Sequence, residues 1–86
     1  MSQSVIVNLE SKQPYFRAFC LAKRLRNGDT WKSTDYMNWI ENKHIVFRYI
    51  HAKDYPDNWM PLLKEHNQLF QDWLFDEARK EAANET

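Results

Sequence analysis

At 86 residues the chain has room for one domain, and a domain this small buries only about two-thirds of the surface it exposes when unfolded. Hydrophobic residues make up 43%, with a single Gly and three Pro, a composition that argues against disorder and disfavours a hairpin-rich fold. Twelve basic and twelve acidic residues cancel, unlike the basic profile of most nucleic-acid-binding domains, and a lone cysteine excludes an internal disulfide.

No apolar run reaches the length of a membrane span, and no charged-then-apolar leader opens the chain, so a cytoplasmic protein with no membrane segment is expected. The charges are not mixed evenly. Residues 1–33 carry six bases against two acids, and residues 34–86 carry six bases against ten. Such polarity can steer a partner or a second copy of the chain.

In chain order, Ser4–Leu9 is β-branched and apolar and predicts a short strand or arm within residues 1–10. A strand needs a partner for its backbone groups: a second strand within the chain, for which His44–Ile50 is the obvious candidate, a strand of another molecule, or the helices on which it would lie as an arm. Ser11 offers an N-cap for a first helix with Pro14 in its first turn, and Tyr15, Ala18, Phe19, Ala22 and Leu25 recur at helical spacing. That helix is expected to run to Arg26 and to end on Asn27-Gly28 as its left-handed cap.

A second helix is expected from Ser33 or Thr34 to about Lys53, with Tyr36, Trp39, Ile40, Phe47 and Ile50 on one stripe. The alternative ends it near Asn42 and makes residues 44–50 a second strand. Asp54–Asn58 reads as a turn, and Asp57 or Asn58 caps a third helix with Pro61 in its first turn. Its face runs through Trp59, Leu62, Leu63, Phe70, Trp73, Leu74 and Ala78, and residues 80–86 read as a fraying tail. The expected fold is mainly α: a compact three-helix domain over residues 1–86 with a short N-terminal strand, the alternative being α+β.

No catalytic or cofactor motif stands out. Glu41-x-x-His44 is half of a carboxylate–histidine pattern whose second copy is missing, since Glu65 and His66 are adjacent. His51-x-x-Asp54 lacks a third ligand, and Cys20, between Phe19 and Leu21, reads as a small buried hydrophobe. A non-enzyme with no cofactor and no metal is therefore expected.

What stands out is a surplus of large side chains. From Val5 onward 29 residues are Val, Ile, Leu, Met, Phe, Tyr or Trp, 13 of them aromatic. A core of this size houses on the order of 15–20. Met37, Tyr49, Leu69 and Phe75 fall off the core stripes, and Tyr55 and Met60 cluster at the turn. These six are the candidate partner-binding residues, because aromatics and Met are enriched in interface cores.

The functional expectation is a small protein-binding adaptor or inhibitor, of the kind phage or plasmid genes encode, with homodimerisation as a variant. The alternative is a nucleic-acid-binding regulator using the basic, aromatic-flanked segment of Lys23, Arg24, Arg26, Trp31 and Lys32.

Overall fold

A computed structural model describes residues 4–51 and 63–84. The expected turn at 54–58, the caps Asp57 and Asn58, Trp59, Pro61 and Leu62, and the candidates Tyr55 and Met60 lie outside the described residues. Five elements follow one another: β1 (Ser4–Ile6), α1 (Pro14–Lys23), β2 (Thr30–Lys32), α2 (Ser33–His51) and α3 (Leu63–Asn84). The fold is mainly α with three helices and a short strand at its start.

The strand pairs within the chain, but not with 44–50, which is helical throughout. β1 lies antiparallel to β2, with Ser4 opposite Lys32, Val5 opposite Trp31 and Ile6 opposite Thr30. Past Ile6 the ladder ends in a bulge. Val7 N–H donates to the Asp29 carbonyl (2.7 Å), and Gly28 N–H donates to the Val7 carbonyl (3.2 Å). Gly28 has φ +95°, the left-handed backbone that the first residue of a G1 bulge requires. The single glycine therefore serves the sheet, not the end of α1.

The cap of α1 falls to Arg24 instead, at φ 56°. Leu25 N–H reaches back to the Cys20 carbonyl (2.8 Å) and Arg24 N–H to Leu21 (3.1 Å), the paired bonds of a Schellman ending. Leu25 then packs on the core. The N-cap is Gln13, two residues past the expected Ser11: Ser11 Oγ accepts from Gln13 N–H (3.4 Å), and Pro14 opens the helix where no N–H is needed.

The core holds Val7, Phe16, Ala18, Phe19, Cys20, Ala22, Trp39, Phe47, Phe70, Leu74 and Ala78. α1 lies closest to α3. Ala18, Ala22, Leu74 and Ala78 are sealed from solvent, and the three alanines are small enough to let two helix backbones approach. α2 leans on α3 through rings: Phe47 meets Phe70 at 5.0 Å and Trp73 at 5.5 Å, and His44 stacks on Phe70 at 4.1 Å.

Three positions differ from the sequence pattern. Ile50, expected on the core stripe of α2, is 48% exposed, because the stripe has turned outward by its last turn. Phe75, expected to face outward, is half-buried and packs against the core. The expected tail is helical through Asn84, since the α3 end is tied down: Arg24 donates its guanidinium to the Ala82 carbonyl, and Glu81 bridges to α2.

Candidate interaction surface

α2 presents two contrasting faces. Its inner face sets Trp39 and Phe47 into the core, and Tyr36 and Ile40 pack partly buried beside them. Two ring clusters result. Phe19 meets Tyr36 at 5.2 Å and Trp39 at 5.7 Å, with Trp31 seated 4.9 Å from Phe16. The second is the Phe47–Phe70–Trp73 group. T-shaped and tilted contacts dominate, the geometry that ring quadrupoles favour.

Polar links close the α2–α3 side. Trp39 Nε1 donates to Glu81 Oε2 at 3.0 Å, and Lys43 Nζ pairs with Glu81 Oε1. Partial burial alone would push the Glu81 carboxyl up. The bonds from Lys43 and Trp39, with the charges of Lys43 and Lys23, outweigh it and hold the group below its ordinary range. His44 is shifted downward, first by partial desolvation and then by the Arg48 charge.

The outer side of α2 is different. On its last two turns Ile45 (57% exposed), Val46 (43%), Tyr49 (74%) and Ile50 (48%) stand at i, i+1, i+4 and i+5, which makes them one contiguous apolar patch. Of the six sequence candidates, Tyr49 lies in this patch. Met37 is exposed too, but twelve residues earlier on the same helix, roughly 18 Å along its axis. Leu69 is exposed on α3, and Phe75 belongs to the core side. Sequence reasoning missed Ile45 and Val46, although their i, i+4 spacing to Tyr49 and Ile50 is a second apolar stripe in its own right.

The basic segment comes out divided. Lys23, Arg24, Arg26 and Lys32 are all exposed, but the Arg24 guanidinium is engaged with α3. Trp31 packs among Phe16, Phe19 and Tyr36, and its Nε1 is buried without a hydrogen-bond partner among the described residues. A cleft of about 550 Å³ opens between β2, the end of α1 and the first turns of α2. Lys23, Thr30, Lys32, Asn38 and Asn42 line it above a floor that includes Phe19 and Trp39.

Cys20 is buried, and desolvation pushes its thiol up, so it packs as the small hydrophobe expected and is not activated as a nucleophile. Among the described residues no group of three or more His, Cys, Asp or Glu is placed to hold a metal, and no helix is long and apolar enough to cross a membrane. Comparison with protein-family models, curated proteins and solved structures finds no match.

Proposed function

We propose that this chain is a small non-enzymatic protein-binding module, an adaptor or inhibitor working in the cytoplasm, that docks its partner on the outer face of α2. One observation carries the reading. Ile45, Val46, Tyr49 and Ile50 remain together at the surface of a helix whose other face already fills the core with Trp39 and Phe47. A contiguous apolar patch on a small domain costs solubility, and partner surfaces are where such patches occur.

Nucleic-acid binding through the 23–32 segment is less supported, since Trp31 is engaged by three rings and Arg24 by α3. The test is site-specific photo-crosslinking in host lysate, with the probe at Tyr49 or, as control, at exposed Asp72 on α3. A discrete protein adduct from Tyr49 alone, lost when Ile45→Asp is added while the melting temperature holds, is the expected result. Equal adducts from both positions, or adducts that vanish on nuclease treatment, overturn it.

A further inference from the structure

The cleft beside β2 offers something the α2 patch lacks, a strand edge with no pairing strand among the described residues. In an antiparallel ladder, pairs that exchange both backbone bonds alternate with pairs that exchange none. The Val7–Asp29 bond fixes the phase, so Val5 and Trp31 form the bonded pair. The N–H and C=O of Thr30, one residue along, then point to the opposite edge of β2. Its side chains alternate as well: Trp31 turns toward the core, Thr30 and Lys32 to solvent.

The cleft is lined by all three β2 residues and by none of Ser4, Val5 or Ile6. A cavity that meets both faces of a strand but not its neighbour lies along the free edge. Its far wall is α2, where Asn38 and Asn42 stand one turn apart; Lys23 and Lys32 line it with one carboxylate, Asp35, and Lys23 is also within electrostatic reach of Glu81 outside the cleft.

We propose that this edge takes up an extended acidic segment of a partner protein as a third strand. The proposal rests on the protein-binding reading above and names a second contact for it. The added strand bonds to Thr30 and Lys32 along one side, as in β-strand addition generally. Along the other side Asn38 and Asn42, each with a donor and an acceptor, take its outward backbone groups. Asp or Glu side chains on the incoming segment meet Lys23 and Lys32, which gives the site its preference for acidic sequence. A three-residue edge spans roughly 10 Å, so few backbone bonds form and charge supplies much of the selectivity.

The experiment is an NMR titration of ¹⁵N-labelled protein with three end-blocked probes: Glu-Val-Glu-Val-Glu, Lys-Val-Lys-Val-Lys and the oligonucleotide dT8. The expected result is saturable shifts of the Thr30 and Lys32 amides and of the Asn38 and Asn42 side-chain amides. The acidic peptide should bind at least about tenfold tighter than the basic one, and N-methylation of its alternate amides should abolish the shifts. Lys23→Glu with Lys32→Glu should reverse the preference.

No shift at Thr30 and Lys32 with the acidic peptide at low-millimolar concentration overturns the proposal. So does equal response to both peptides, or stronger response to dT8 at the same amides. A Tyr49 crosslink that survives the Lys23→Glu, Lys32→Glu double variant undiminished would overturn the added strand and leave the docking face of α2 standing.

Discussion

Helix α1 is ten residues long and buries five of them; α2 runs for nineteen, and among its described side chains only Trp39 and Phe47 are buried. The difference comes from what each helix sets against its neighbour. α1 meets α3 with alanines, so the backbones close up and little of either face is left over. α2 meets α3 with rings, which fill the gap from a distance and leave the far side of the helix in solvent. The short, closely packed helix turns half its residues into the core and leaves Arg17, Leu21 and Lys23 outside, whereas the long helix, held off on aromatic rings, leaves a whole apolar face in solvent.

The ring side should show the largest effect. Phe70 touches Tyr15 of α1, His44 and Phe47 of α2 and Trp73 of its own helix. Phe70→Ala should cost about 3–5 kcal/mol in urea unfolding. On the alanine side, Ala78→Leu forces the α1 and α3 backbones apart and should cost about 1–3 kcal/mol. If Ala78→Leu were neutral, the close approach of α1 and α3 would not be what holds them, and the contrast would fail. Phe75, half-buried, should fall lower, at about 1–2 kcal/mol for Phe75→Ala, and without loss of partner binding.

These positions also mark what could be read from the chain. Helical spacing placed Phe19, Trp39, Phe47 and Leu74 correctly, because a core stripe is a local, periodic signal. Thr30–Lys32 was invisible as a strand: three residues carry no period, and its pairing depends on a bulge closed by Val7. Asn27-Gly28 is the same signal for a helix cap and for a strand turn, and only the bonds from Val7 decide between them. The outward role of Ile45 was hidden for a related reason. A β-branched and aromatic run looks like core until the helix is built and a second stripe appears on the wrong side.

The polar side of the α2–α3 contact should respond to acid. Glu81 has its folded value held below the ordinary 4.5, so its contribution is present above that value and is lost as pH falls through the lower folded one. Glu81→Gln should therefore cost about 1 kcal/mol near neutral pH and flatten the loss of stability below about pH 4.5, read by thermal melts across pH 3–7. His44, also shifted downward, acts in the same direction at higher pH: stability rises as pH climbs toward 6.5 and is then level. A wild-type curve that instead rose on acidification would contradict both.

The smallest effect on stability belongs to the outer face of α2, and that is its diagnostic value. Ile45→Ser and Tyr49→Ser remove side chains that are already more than half exposed, so each should leave the unfolding free energy within about 0.5 kcal/mol of wild type. Apolar surface withdrawn from water should at the same time raise solubility. Under the docking proposal, residues that are neutral to the fold yet large, apolar and clustered are the ones whose replacement should weaken partner binding. Should either serine variant lose as much as Phe75→Ala, the patch would be part of the core after all, and the contrast between the two faces of α2 would fail.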